Sequence, residues 1–427
     1  MKGNNNTMVK HLSETRLPSR SGRLATPVLL AAVAVAATAC SSSSGTSSGT
    51  SSAVSTSGAN GVSAVNITMA NDGGKDSCKL DNPSVPAGPV TFNVANKNAP
   101  GISEVELIKD QRIFGEKENL APGLDPVSFT VTLDGGKYQV YCPGAATEFM
   151  DFTVTGQAGA ALSGSTQTIF DQGTKEYTTY VVGQINLLSD SVKQLDAAVQ
   201  SGNVNDAKTA YAKARPYYER SESSVGGFVL PGFSVDDNAG NLDYLIDMRE
   251  STPVDEKVGW KGFHAIERDL WGGGITPETK TGSAELVGNV GKLVEVVTTL
   301  HYKPEDLANG AADLLEEVQN TKITGEEEQF SHIDLVDFAG NVEGAQQAYA
   351  SLRPGLQKID PTLVTQIDGQ FKSVQTTLDG YHDPAAPGGV TVWTPELRAT
   401  DAPKLTAVIQ PLHDSLSTIA QKVATSG

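Results

Sequence analysis

His264 and Glu267 stand three positions apart in Gly262-Phe263-His264-Ala265-Ile266-Glu267. On a helix that spacing puts both side chains on one face, where an imidazole and a carboxylate can grip the same cation. A mixed nitrogen and oxygen donor set suits iron or zinc. Two ligands do not make a site, so the rest must come from other elements. Glu219 and Glu222 are candidates, because Pro216 kinks the helix that carries them and opens room beside its Tyr211 and Tyr218 face. Ser331-His332-Ile333-Asp334 reads as a helix start, with Ser331 as the cap and Asp334 near the N-terminus. Glu326-Glu327-Glu328 reads as a solvated first turn, and His301, His382 and His413 stand in loop or surface contexts that give them no role.

A second group lies earlier in the chain. Cys142 follows directly on a strand over 138–141, and Cys78 lies in the loop over 75–80. A cysteine at the end of a late strand in a small sandwich resembles the cupredoxins, but a blue-copper site needs two histidines and none occurs between residues 61 and 156. Two readings stay open. The pair forms a structural disulfide, or the two thiolates bind metal with Glu106, with Glu104 on the same strand face and Met150 as a competing soft ligand.

The elements that must position these groups fall into two kinds. Short period-two runs at 65–69, 90–94, 129–133, 138–141 and 149–154, separated by turns such as Asp72-Gly73-Gly74 and Asp134-Gly135-Gly136, predict an antiparallel β-sandwich over 61–156. A linker rich in Ala, Gly and Ser covers 157–166. Beyond it the apolar residues Val181, Ile185, Leu188, Val192, Leu195 and Val199 recur at alternating steps of four and three, one stripe of a long amphipathic helix. Gly202-Asn203 ends that helix. Similar stripes through Leu335, Phe338, Val342, Ala345, Tyr349 and Leu352, and through Leu405, Val408, Leu412, Leu416 and Ile419, predict an all-α helical-bundle domain over 167–427.

The start of the chain is organised for export. Basic residues up to Arg23, an apolar run over 24–37 and Thr38-Ala39-Cys40 have the layout of a secretory signal peptide over 1–39. Small residues before Cys40, with serines at once after it, resemble a lipobox, so Cys40 is expected to carry the lipid and residues 40–60 to form a Ser-rich tether on the outer side of a membrane. The 427-residue chain is 38% hydrophobic, enough for more than one folded core, and its net charge of -18 repels nucleic acid and draws cations.

Four ordered runs, Tyr218-Glu219-Arg220-Ser221-Glu222, Ile246-Asp247-Met248-Arg249-Glu250, the segment from Gly262 to Glu267, and Ile323-Thr324-Gly325-Glu326-Glu327-Glu328 leading to Asn341-Val342-Glu343-Gly344, resemble the successive motifs of the imelysin-like family. With Cys78, Glu106, Glu118-Asn119-Leu120-Ala121-Pro122-Gly123 and Cys142, the likeness extends over the sandwich to the branch of that family serving extracytoplasmic iron uptake. Ser223, where the family tends to have Pro, and the longer stretch from Gly226 to Asn241 depart from the pattern.

The resemblance implies a cupredoxin-like domain followed by an imelysin-like one. The helical domain would hold ferric or ferrous iron through His264 and Glu267, with Glu222 and Asp247 facing them, and the sandwich would hold copper or ferrous iron, with ferrous oxidation there as a hypothesis. An iron permease in the membrane and a haem-dependent peroxidase would be its partners. The alternative is a zinc metallopeptidase of the cell envelope, but no His-Glu-x-x-His run is present to supply two ligands and a general base on one helix.

Overall fold

Strand alternation is the first local rule the chain obeys. In the computed structural model, which describes residues 61–110, 112–157, 164–225, 227–250 and 254–426, every second residue of β1 (Ser63–Asp72) points into the sandwich, burying Val65, Ile67 and Met69. The signal segment, Cys40, the tether to residue 60 and most of the linker lie outside the described residues.

The other strands are β2 (Lys75–Leu80), β3 (Ser84–Pro86), β4 (Gly88–Asn96), β5 (Val105–Lys109), β6 (Arg112–Lys117), β7 (Val127–Leu133), β8 (Gly136–Tyr141) and β9 (Phe149–Thr155). They form two sheets, in the orders β2-β1-β4-β7 and β3-β9-β8-β5-β6. Phe92 lies between them, stacked on Phe129 at 5.0 Å and edge-on to Phe152 at 5.3 Å. Each such fully buried ring contributes about 1.5–3 kcal/mol by leaving water. Most pairings are antiparallel, as expected, but β1 with β4 and β3 with β9 run parallel. Cys78 sits on β2, opposite Met69, and not in a loop.

The helices are α1 (Ser165–Ser201), α2 (Val204–Glu219), α3 (Glu222–Val225), α4 (Leu242–Asp247), α5 (Phe263–Arg268), α6 (Pro277–Val297), α7 (Pro304–Glu317), α8 (Asp334–Ile359), α9 (Pro361–Leu378), α10 (Pro395–Ser417) and α11 (Ile419–Thr425). The α1 stripe from Val181 to Val199 is buried throughout, as its spacing requires. Gly202 ends that helix in the left-handed conformation, and Asn203 caps α2 by accepting from the N–H groups of Asn205 and Asp206. α2 runs on through Pro216 to Glu219, and Glu222 opens the separate short helix α3. Two π-helical turns, Asp269–Gly273 and Val318–Lys322, follow α5 and α7. Such turns gather at functional sites because they shift side chains off the regular helical register.

Sandwich and helices pack together along α7. Glu305 accepts from the N–H of Thr132 at 3.0 Å, Asn309 donates to the carbonyl of Thr130 at 2.8 Å, and buried Lys117 pairs with Asp313 at 2.6 Å and Glu316 at 2.9 Å. No helix among the described residues is long and apolar enough to cross a membrane.

Candidate metal centre

α5 reaches the end of α4 because residue 262 is glycine. Gly262 has φ +86°, and a Cβ there would stand 2.2 Å from the carbonyl oxygen of Ile246. No L side chain fits that approach. The contact sets His264 against Asp247, with the imidazole Nε2 3.6 Å from Asp247 Oδ1. Gly344 serves α8 in the same way, since a Cβ there would lie 2.4 Å from the carbonyl of Arg220, and this brings α8 onto α2.

His264 is fully buried, and both ring nitrogens face carboxylates. Nδ1 lies 3.3 Å from Glu267 Oε2, one helical turn on, and Nε2 lies 3.3 Å from Glu327 Oε1. Two overlapping groups have donor atoms within 4.8 Å of one another: Asp247, His264 and Glu327 on one side of the ring, and His264, Glu267 and Glu328 on the other. Glu267 is fixed by the N–H groups of Phe330 and Ser331, and Glu328 by the hydroxyls of Tyr211 and Ser331. His264 Nε2, Glu327 Oε2, Glu219 Oε2 and Asp337 Oδ1 are buried without a hydrogen-bond partner. Buried polar atoms are rarely left so, and Glu219, Glu327 and Asp337 form a third group with oxygens within 4.8 Å of one another. One imidazole and several carboxylates are a hard, anionic donor set that fits iron.

Protein cations share the space. Arg215, fully buried on α2, contacts Glu219 and Asp247 closely, and reaches Glu327 at 3.3 Å and Glu328 and Asp337 at 3.1 Å. Its guanidinium lies over the ring of Phe263. Lys322, also fully buried, stands among Glu219, Glu222, Glu317 and Glu327.

The protonation states follow from this crowding. Burial and Arg215 push His264 down, but Glu267, Glu327 and Asp247 more than reverse this and hold it up at about 10. Burial raises Asp247 to about 7 against the pull of Arg215 and His264, and raises Asp337 to about 8 against Arg215. Burial acts on Glu327 in the same sense, yet Lys322 and His264 overcome it and keep this carboxyl well below its usual range. Metal ligands must shed their protons, so binding here releases protons.

Of the expected ligands, the structure brings together His264, Glu267 and Asp247. Glu222 does not join the groups around His264; it accepts from Asn341 at 3.1 Å and lies 3.9 Å from Lys322. Glu327 and Glu328, read from sequence as a solvated turn, are buried and stand at the centre. A run of glutamates looks the same whether it faces water or buried Arg and Lys partners, and only its place within an ordered motif hinted at the difference. Ser331 does not cap α8; Ile333 precedes its first residue, while His332, before it, adopts a left-handed φ of +58°.

In the sandwich the open question resolves toward the cross-link. Cys78 and Cys142 are joined as a disulfide, which corrects the thiolate reading, because neither sulfur is then a thiolate ligand. Glu106 instead belongs to a carboxylate hairpin. It pairs with Glu116 across β5 and β6, and Glu104 and Glu118 flank that pair on the same face. Glu104, Glu116 and Glu118 bring oxygens within 4.8 Å of one another, and buried Glu106 Oε2 has no hydrogen-bond partner. Like charges facing each other across strands are destabilising, and burial followed by neighbouring carboxylates pushes Glu104 up to about 8.

Residues 173–422 match the family model for imelysin, peptidase M75. The chain is 33% identical over 299 residues, 70% of its length and 77% of the relative's, to the iron uptake system component EfeO of Escherichia coli K12, and equally to that of Shigella flexneri. A solved chain from Parabacteroides distasonis matches with a TM-score of 0.44 at 16% identity, covering 63% of this chain and 98% of that one, too slight a likeness to argue from. A buried imidazole ringed by carboxylates therefore sits within a sequence match that covers more than half the protein, and the chain belongs to the imelysin family.

Proposed function

We propose that this protein is the extracytoplasmic, lipid-anchored iron-binding component of an uptake system, capturing ferrous or ferric iron and delivering it to a membrane permease, with a haem-dependent peroxidase as companion. One observation carries this reading: His264 is buried with carboxylates at both ring nitrogens, and Nε2 has no hydrogen-bond partner. The relatives' printed role in iron uptake supports iron as the cargo. Asp247, His264 and Glu327 would hold it at the Nε2 side of the ring, with Glu267 and Glu328 bracing the Nδ1 side. In the sandwich, the carboxylates of Glu104, Glu116 and Glu118, with buried Glu106 beside them, are the candidate donors in place of the cysteine sulfurs, and no ferrous oxidation is assigned to that domain. The net charge of -18 favours the approach of cations.

Metal analysis after equilibration with ferrous and ferric ions, on the parent and on His264→Ala and Glu327→Ala, tests this reading. The parent should retain iron through gel filtration, and both variants should lose the helical-domain equivalent. A peptidase would instead cleave casein in a chelator-sensitive manner. That reading needs a general base placed beside the metal, and no His-Glu-x-x-His run is present to supply one on the ligand helix.

A further inference from the structure

Lys322 is the C-terminal residue of the π-helical turn Val318–Lys322 and is fully buried. Its ammonium lies 3.3 Å from Glu317 Oε1, 3.4 Å from Glu327 Oε1, 3.4 Å from Glu219 Oε2 and 3.9 Å from Glu222 Oε2. A buried ammonium is costly to desolvate, and an apolar residue would fill the space more cheaply if packing were the only need. Even with Arg215 reaching Glu219 and Glu327, four carboxylates face two protein cations, the setting in which a metal ion competes well.

The position of this node gives it a role. On its outer side, Glu317 lines a cavity of about 40 Å³ together with Glu116 and Glu118 of the sandwich hairpin and with Lys117, whose ammonium is paired with Asp313 and Glu316. That volume admits a water-sized ion. On its inner side, the same Glu327 oxygen that touches Lys322 stands 3.3 Å from His264 Nε2. The line from Glu317 through Lys322 and Glu327 to His264 therefore has steps of 3.3, 3.4 and 3.3 Å. At its end, Glu219 Oε2, 3.4 Å from the ammonium, and Glu327 Oε2 are buried without a hydrogen bond, so each can exchange its present ion pair for an arriving cation.

We propose that Lys322 is a tethered place-holding cation: its ammonium occupies the four-carboxylate node through which a metal ion passes between the sandwich carboxylates and the His264 centre, and an ion in transit displaces it. This rests on the iron-binding reading above. The lysine stem stays attached to the chain, so the ammonium returns when the ion moves on. The node is then never left without a counter-charge on Glu222 and Glu317, and it does not hold the ion permanently.

Two variants test this with ferrous ion added under argon. All three tryptophans, Trp260, Trp271 and Trp393, lie in the helical part, so their quenching reports arrival there and not loading of the sandwich. In Glu317→Gln the node loses a charge at its outer face, and the rate of quenching, normalised to each protein's final amplitude, should fall by about tenfold or more. In Lys322→Met the node loses its ammonium and keeps only Arg215 at its inner edge, so it should trap metal, and the folded variant should retain one more equivalent of iron per chain than the parent, while Lys322→Arg should not. Melting curves identify a variant that does not fold, in which case the Glu317→Gln rate decides. Quenching of Glu317→Gln at the parental rate overturns the passage, and a folded Lys322→Met with parental iron content overturns the place-holding role. A parent that binds no iron sinks the function proposed above, and this inference with it, which separates the two failures.

Discussion

Glu267 and Ser331 hold each other across 64 positions of sequence, the backbone N–H of Ser331 donating to Glu267 Oε1 at 2.6 Å. Phe330 donates to the same oxygen at 2.8 Å. One carboxylate oxygen is thus spent on the loop before α8, and the other, Oε2, is held toward His264. Glu267→Gln keeps the shape but lets the amide nitrogen face either the imidazole or the two N–H groups, and one of these contacts fails. Iron affinity by titration calorimetry should fall by about 10–100-fold, with a stability loss of about 1–3 kcal/mol by urea unfolding.

Gly262→Ala should be among the most damaging single-methyl changes in the chain. The left-handed φ of +86° and the 2.2 Å approach to the Ile246 carbonyl leave no room for a Cβ. Relief requires α5 to withdraw from α4, which separates His264 from Asp247. Denaturant unfolding should show a loss of about 2 kcal/mol or more, together with weakened iron binding. Gly183→Ala, at a helical glycine with nothing within 4 Å of its Cβ, is the control and should be neutral or slightly stabilising.

The metal-free protein should lose stability as pH rises from 6 to 8.5, and metal should restore it. Folded Asp247, Asp337 and Glu104 have carboxyls raised to about 7, 8 and 8, so each favours its neutral form and contributes stability at low pH that is lost as pH climbs through the folded value. His264, raised to about 10, acts in the same direction above its unfolded value of about 6.5. Glu327 is lowered, so its contribution is lost only in acid, outside this window. The rise in melting temperature caused by a fixed excess of manganous ion should therefore grow across this range. A constant rise would contradict the protonation states.

Removing the cross-link should spare the helical centre. Cys78 and Cys142 enclose a sequence separation of 64, so the double change to serine should cost about 4 kcal/mol on the chain-entropy estimate, while iron binding that depends on His264 persists. Thiol titration of the unreduced, denatured protein should find neither sulfur reactive. Two reactive thiols at these positions would revive the thiolate reading.

Much of the frame was legible in the sequence because it depends on local periodicity. The α1 stripe and the alternation of β1, β4 and β7 each follow from which residues shun water, and His264 with Glu267 follows from helical pitch. What was not legible depends on partners distant in sequence. Alternation fixes which face of a strand is buried but is blind to direction, so the parallel pairings of β1 with β4 and β3 with β9 had no local signal. Glu327 and Glu328 are buried because Arg215, Lys322 and Tyr211 meet them from elsewhere in the chain. The hairpin of Glu104, Glu106, Glu116 and Glu118 was half visible, since the first two share a face by period two, but the register that sets Glu106 opposite Glu116 includes an irregularity between Leu107 and Ile108.

The most direct test is iron-edge X-ray absorption on the iron-loaded protein, compared with His264→Ala loaded in the same way. The account predicts mixed imidazole and carboxylate coordination in the parent, with the imidazole scattering reduced or lost in the variant. Identical spectra from the two proteins, or a parent iron coordinated by oxygen alone, would contradict the claim that His264 and its carboxylates form the metal centre.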